Sequence, residues 1–110
     1  MSSPLTLFID GQVILEVARA GGVPGQLRAL FTRLDADMDD GIELDGVWIP
    51  APDAAGRRAF TVQQLLAAVA AGRDDLARTL LIYLAFRWPA LRAVRARANG
   101  DGWDVELDQD

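Results

Sequence analysis

Three short turn signals constrain the fold of this chain more than any other feature. Asp10-Gly11, Asp45-Gly46 and Gly100-Asp101 each separate two runs of residues that favour strands. Asp-Gly suits a two-residue type I′ turn, because both central positions of that turn need a positive φ. The first pair of runs is apolar at nearly every position, which predicts strands that are central in a sheet or covered on both faces. For the second pair a small hairpin and an irregular loop both fit, since Pro50 and Pro52 stop any longer strand.

The last hairpin has a charge pattern that predicts its register. With Gly100-Asp101 as the turn, arginines of one strand face acids of the other, and apolar residues face apolar residues. The predicted pairs are Arg97 with Asp104, Arg95 with Glu106, Val94 with Leu107, Ala96 with Val105 and Ala98 with Trp103. A turn at Asn99-Gly100 would slide the pairs by two residues and leave the faces unchanged. We therefore expect one face of this hairpin to contact water and the other to pack on helices.

Three segments between the hairpins have the apolar spacing of helices. They cover residues 24–41, 53–72 and 74–88. Asp53 and Asp74 are suited to begin the second and third segments, and Gly41 and Gly72 are suited to end the first and second. The sequence predicts a single α+β domain over residues 1–110. Its antiparallel sheet would be built from hairpins, with about three helices packed mainly on one face.

Residue types needed for common catalytic chemistry are missing. The chain has no cysteine or histidine, and its eleven basic residues are all arginine. We therefore predict a protein that is not an enzyme and binds no cofactor. The net charge of −5 argues against nucleic acid as a partner. The amino terminus lacks the pattern of a signal peptide, and no apolar run approaches the ~20 residues that cross a bilayer. A cytoplasmic protein without membrane contact is expected. The composition, rich in arginine, alanine, glycine and aspartate, is typical of the codon bias of a GC-rich genome.

A cluster of acids follows the first predicted helix. Asp35, Asp37 and Asp39 occupy alternate positions, Asp40 comes next, and Ile42 follows Gly41. Over residues 34–46 the pattern resembles the calcium loop of the EF-hand family, which would make the three alternate aspartates metal ligands. It departs from that loop at position six, where Asp40 replaces the glycine, and at position twelve, where Gly46 replaces the glutamate. Three interpretations remain open: a solvated acidic helix end, pairing with arginines such as Arg57 and Arg58, and binding of a metal or a basic partner.

Trp48 is the second candidate for function. It lies in the segment VWIPAP close to the acids, and a rigid apolar side chain of this kind is common at protein interfaces. Trp88 and Trp103 are expected in the core. The third helix is apolar around much of its circumference, and such a helix is covered on more than one side. This predicts a homodimer.

The sequence therefore predicts a small bacterial protein that acts through protein–protein contacts and self-association. Its recognition surface would contain Trp48, Asp35, Asp37, Asp39 and Asp40, and its partner would present a basic surface. Two alternatives are a calcium- or other metal-responsive domain that uses the acidic segment between Asp35 and Asp45, and a small-ligand binder or carboxylate-dependent enzyme.

Overall fold

The computed structural model describes residues 3–19 and 22–109. These residues form an α+β architecture with three helices and two sheets, which confirms the predicted fold class. The strands are β1 (Leu5–Ile9), β2 (Gln12–Val17), β3 (Ile42–Leu44), β4 (Val47–Ile49), β5 (Leu91–Asn99) and β6 (Gly102–Gln109). The helices are α1 (Arg28–Asp39), preceded by a 3₁₀ turn at Gly25–Leu27, α2 (Ala54–Ala70) and α3 (Asp74–Arg87). Residue contacts divide the chain into two compact units, Met1–Gly22 with Leu81–Asp110, and Val23–Leu80. The single domain stays a prediction.

The four-stranded sheet of the first unit is mixed. Its strand order is β2-β1-β5-β6. The β1–β2 and β5–β6 pairs are antiparallel hairpins as expected, whereas β1 and β5 are parallel, with Leu7 beside Val94. The prediction of a wholly antiparallel sheet is therefore wrong at the junction of the two hairpins. β1 and β5, the two most buried strands, lie side by side at the centre of the sheet and run in the same direction.

The strand β2 lies at an edge of this sheet, contrary to the expectation for the first hairpin. Leu5 and Leu7 of β1 are fully buried, but Val13 and Ile14 of β2 are exposed. The register shifts by one residue between Leu7 and Phe8, which makes Ile14 the extra residue of a β-bulge. Because β5 pairs with the other side of β1, only one strand of the hairpin is central.

The first turn has the predicted chemistry and is also fixed to β5. Asp10 and Gly11 have φ values of 50° and 82°, as a type I′ turn requires. The Asp10 backbone N–H donates to the Ala96 carbonyl oxygen at 2.9 Å. The Asp10 carboxylate accepts a hydrogen bond from the Ala98 N–H at 3.1 Å. One residue thus forms the turn and joins it to the neighbouring strand.

The β5–β6 hairpin has the predicted register at all five pairs. The observed ion pair is diagonal: Arg95 Nε lies 2.6 Å from Asp108 Oδ2, although Glu106 is directly opposite. The Arg95 guanidinium also lies over the Phe8 ring, 4.4 Å from its centroid. Trp103 and Trp88 are both half-buried, so their placement in the core is wrong. Trp88 instead makes an edge-to-face contact with the buried Tyr83 ring, with centroids 6.1 Å apart.

The second unit contains α1, the β3–β4 hairpin and α2. Of the two alternatives for residues 42–49, the structure has the hairpin, with φ values of 52° at Asp45 and 79° at Gly46. Asp53 begins α2 as predicted, because its Oδ1 accepts from the Gly56 N–H at 2.8 Å. Ile42 of β3 is buried close to Gly56, which places the hairpin against the start of α2.

Part of the apolar circumference of α3 is buried, whereas Leu76, Ile82 and Phe86 are half-buried. Leu80, Leu81, Tyr83, Leu84 and Ala85 are each at most 6% exposed. Homodimerisation, including through α3, stays a prediction. In the described part of the chain, no helix has the length and apolar character needed to cross a membrane.

Candidate interaction surface

The predicted metal candidates Asp35, Asp37 and Asp39 lie in α1 and not in a loop. Two residues advance an α-helix by about 200°, so Asp37 points away from the side shared by the other two. The twelve-residue calcium loop is therefore not formed, because helix and hairpin occupy its positions. Within residues 3–19 and 22–109, no group of three or more histidine, cysteine, aspartate or glutamate side chains could hold a metal ion.

Arg57 contacts the acidic end of α1, as one of the three interpretations predicted. Its Nη2 lies 2.5 Å from Asp39 Oδ1, and its Nη1 donates to the Asp35 backbone oxygen at 3.4 Å. Its Nε also donates to the Pro52 carbonyl oxygen at 3.2 Å. A cation here offsets the repulsion between the acids and the negative end of the helix dipole. Arg58, the second predicted partner, has a buried Nε without a hydrogen-bond partner.

These contacts separate the predicted interaction residues into two groups. Asp39 is paired with Arg57, and Asp35 is half-buried with its backbone oxygen in use. Asp37 and Asp40 are exposed. Asp45, at the tip of the hairpin, accepts a hydrogen bond from Gln63 Nε2 of α2 at 3.0 Å, which holds the tip against the helix.

Trp48 is at the surface, with 61% of the residue exposed. It lies opposite Glu43 in the β3–β4 ladder, so the two side chains share one face of the hairpin, about 5 Å apart at Cβ. The indole extends over Gly41, and a Cβ atom at that glycine would overlap the ring. The backbone at Gly41, with φ of 123°, therefore lies under the ring, and the exposed Asp40 precedes it directly. We call Trp48, Glu43 and Asp40, together with Gly41, the Trp48 surface.

The Trp48 surface joins an aromatic face with two exposed carboxylates. A guanidinium or ammonium cation is attracted to the face of an aromatic ring, and the indole is the ring that attracts it most strongly. Neighbouring carboxylates raise the local concentration of such groups and can bond to them. The surface is suited to bind a basic side chain.

A depression of about 430 Å³ lies on the first unit, near the Asp10-Gly11 turn. Its lining includes Phe8, Arg95, Arg97, Asp104 and Glu106. Arg95 already covers Phe8 and pairs with Asp108, and Asp104 accepts hydrogen bonds from Asn99 Nδ2 at 3.2 and 3.3 Å. Two charged groups of this lining, Arg95 and Asp104, are thus already bonded to other side chains of the chain.

Arg19 is a structurally important residue that the sequence analysis missed. Its guanidinium donates to the carbonyl oxygens of Ser3 at 2.7 Å, Ala85 at 2.9 Å, Trp88 at 3.4 Å and Leu91. It thereby joins the amino-terminal segment to the end of α3 and the start of β5. Burial, and secondarily the charge of Arg92, lowers the pKa of Arg19. Its partners are all backbone groups distant in sequence, so no local pattern could have identified it.

Searches of protein families, curated proteins and solved structures found no match to this chain. Its function must therefore be inferred from its own geometry and chemistry.

Proposed function

We propose that this chain is a non-catalytic protein-binding domain whose Trp48 surface contacts a basic segment of a partner protein. The observation that carries this proposal is the exposure of Trp48, of which 61% remains open although the ring is supported from below by Gly41. A large aromatic side chain that is held in place and exposed loses little conformational entropy when a partner covers it. Such residues dominate the free energy of binding at many interfaces.

The aromatic ring and the two carboxylates are expected to contribute to binding in different ways. Covering the exposed part of Trp48, about 150 Å², would contribute about 4 kcal/mol as an upper value. Asp40 and Glu43 at the margin are solvated, so they would add little affinity but would speed association with a basic partner. Trp48 should therefore determine the lifetime of the complex. The acids should determine its rate of association and the dependence of that rate on salt.

In-cell photocrosslinking tests this proposal. A photoreactive amino acid at position 43, on the face of Trp48, should crosslink a discrete protein in cells of the natural source. The product should vanish when Trp48→Ala is added, and the captured protein should have a basic contact segment. The same photoreactive group at the exposed Arg73, in the turn after α2, provides the control. A product that forms equally from position 73, or that persists in Trp48→Ala, would contradict the proposal.

Two further properties stay predictions beside it, namely the absence of catalysis and a cytoplasmic location. The calcium-responsive alternative is not proposed, since no observed geometry favours it.

A further inference from the structure

The strand β4, which carries Trp48, is the open side of the β3–β4 hairpin. The other strand, β3, lies against α2, with Ile42 buried close to Gly56. In β4, by contrast, Val47 and Trp48 are both 61% exposed. The described strands give β4 a single neighbour, β3, and the register of this pair has no bulge. One edge of β4 is therefore regular and, within the described part of the chain, unpaired.

The turn determines which backbone groups point to that edge. The turn at Asp45-Gly46 is of the two-residue type I′, and Leu44 pairs with Val47 across it. The residues that flank such a turn exchange both N–H···O bonds, and bonded and non-bonded pairs alternate along an antiparallel ladder. Trp48 and Glu43 form the next pair, so the Trp48 N–H and C=O point away from β3. The open edge thus has a donor and an acceptor on the residue that carries the exposed indole.

The side chains of the hairpin separate into two faces. Trp48 shares one face with Glu43, while Val47 and Ile49 lie on the other face together with Ile42. A strand added beside β4 would place alternate side chains on these two faces. Its residue opposite Trp48 would contact the indole, with Glu43 in the same row about 10 Å away. The residues before and after it would lie beside Val47 and Ile49.

The charges of the Trp48 surface favour a basic strand at this edge over a second copy of the chain. Two copies paired through β4 would bring Asp40 and Glu43 of each copy towards those of the other, and each copy has a net charge of −5. An arginine opposite Trp48 would instead direct its guanidinium over the indole and towards the Glu43 carboxylate. Arginine suits this position better than lysine, because its planar group can stack on a ring while it bonds to a carboxylate.

We propose that the basic segment of the partner binds as a third strand, antiparallel to β4. An arginine of that segment would lie opposite Trp48, with an apolar residue on either side of it in sequence. Antiparallel pairing lets the arginine exchange two main-chain hydrogen bonds with Trp48, and it is the more stable arrangement per residue. Main-chain bonds give affinity in this mode of recognition, and alternate side chains give specificity. The inference rests on the proposed function and adds the conformation and residue pattern of the partner.

N-methylated peptides test this mode of binding, because they remove selected main-chain donors and keep every side chain. The probe is an acetylated and amidated hexapeptide of alternating arginine and leucine, titrated to millimolar concentration. In the proposed pairing, the N–H groups of its arginines point to β4 and those of its leucines point away. N-methylation of the arginines should weaken binding at least tenfold, whereas N-methylation of the leucines should change it by less than about twofold.

Hydrogen exchange and matched variants report the same contact from the protein. With the unmodified hexapeptide at about ten times its dissociation constant, the Trp48 backbone amide should exchange at least fivefold more slowly. Val47→Ser should weaken binding about threefold through lost apolar contact, and Trp48→Ala at least tenfold. Val105→Ser, the same change at a residue 43% exposed on β6, should have no effect. Circular dichroism should show that each variant is folded.

Three outcomes would overturn this inference. They are no binding of the unmodified hexapeptide, equal binding of the two N-methylated peptides, and loss of binding on methylation of the leucines alone, which would indicate a parallel strand. Equal binding that still depends on Trp48 would show contact through its side chain only. The proposed function would then stand without the added strand. A failure of the photocrosslinking from position 43 would instead contradict the proposed function itself, so the two failures are distinguishable.

Discussion

The Trp48 indole lies over the backbone of Gly41 at a distance that leaves no space for a β-carbon. Gly41 follows α1, which ends at Asp39, and has φ of 123°, a conformation open to glycine and costly for other residues. The glycine that follows the acidic helix therefore also supports the exposed tryptophan. One glycine thus provides both the backbone turn after the helix and the surface on which the exposed indole lies.

Gly41→Ala should destabilise the protein by about 2–4 kcal/mol, from backbone strain and from overlap with Trp48. Gly46→Ala is the comparison, because Gly46 also has a positive φ, of 79°, but no atom near its missing Cβ. It should cost about 1 kcal/mol. Urea unfolding measures both values. In a Trp48→Ala background the cost of Gly41→Ala should fall by about 1–2 kcal/mol, since the overlap is gone. An unchanged cost would mean that Trp48 does not restrict Gly41.

Arg57 should contribute more to stability than its ion pair with Asp39 suggests. Arg57→Ala removes contacts to Asp39, to the Asp35 carbonyl and to the Pro52 carbonyl, and should cost about 1–2 kcal/mol. Asp39→Ala should cost less than about 0.5 kcal/mol, because the Asp39 side chain is 64% exposed and solvent screens the pair. Urea unfolding of both variants at low and high salt distinguishes the effect of Arg57→Ala from that of Asp39→Ala.

The helix dipole provides a control on this interpretation of Arg57. An aspartate near the carboxyl end of α1 is unfavourable without a cation beside it. Asp39→Ala made in the Arg57→Ala background should therefore be neutral or stabilising. If it were as destabilising as Arg57→Ala itself, Asp39 would have a role that the observed contacts do not include.

Local chemistry made part of the fold predictable. Asp10-Gly11 and Asp45-Gly46 identify turns because few other pairs adopt two positive φ values, and alternating charges fix the register of β5 on β6. The parallel pairing of Leu7 with Val94 has no such signal, because the two residues are 87 positions apart and either hairpin could pair by either edge. For the same reason the exposure of Val13 could not be foreseen. An apolar edge strand and an apolar central strand have the same kind of sequence, so they can be told apart only when the neighbouring strands are known.

The candidate site was predictable to a similar extent. Trp48 was identified from its prolines and the nearby acids, and Arg57 from its charge. The division between paired and exposed acids was not foreseen, since it depends on where α1 ends. A helix that stopped at Leu34 would have placed Asp35, Asp37 and Asp39 in a loop, whereas one that continues to Asp39 spreads them around its axis.

Arg19 should be among the most important residues for the stability of the first unit. Arg19→Ala leaves carbonyl oxygens at Ser3, Ala85, Trp88 and Leu91 without this donor, and should cost about 2–3 kcal/mol. Arg19→Lys should recover less than half, because an ammonium group lacks the planar array of donors. Arg78→Ala, at an exposed position of α3, should change stability by less than about 0.5 kcal/mol. Equal effects at Arg19 and Arg78 would contradict this role.

The lowered pKa of Arg19 has a defined sign in the pH dependence of stability. Burial disfavours the charged form, so the folded state binds this proton less tightly than the unfolded state does. Stability from this group would rise with pH only as pH approaches the pKa of arginine. Arginine stays protonated throughout the usual range of measurement, so between pH 5 and 9 Arg19 should add no slope. A difference in slope between the unmodified chain and Arg19→Ala in that range, measured by urea unfolding, would contradict this expectation.

Calcium should leave the thermal stability of this chain unchanged. A ligand that binds the folded state raises the melting temperature in proportion to the logarithm of its concentration above Kd. The helical placement of Asp35, Asp37 and Asp39 gives no convergent set of oxygen ligands, so we expect flat melting curves up to 1 mM calcium. Magnesium chloride at equal ionic strength controls for screening of the acids. A rise of more than 2 °C that is specific to calcium, and that Asp37→Asn removes, would show that these aspartates rearrange into a metal site.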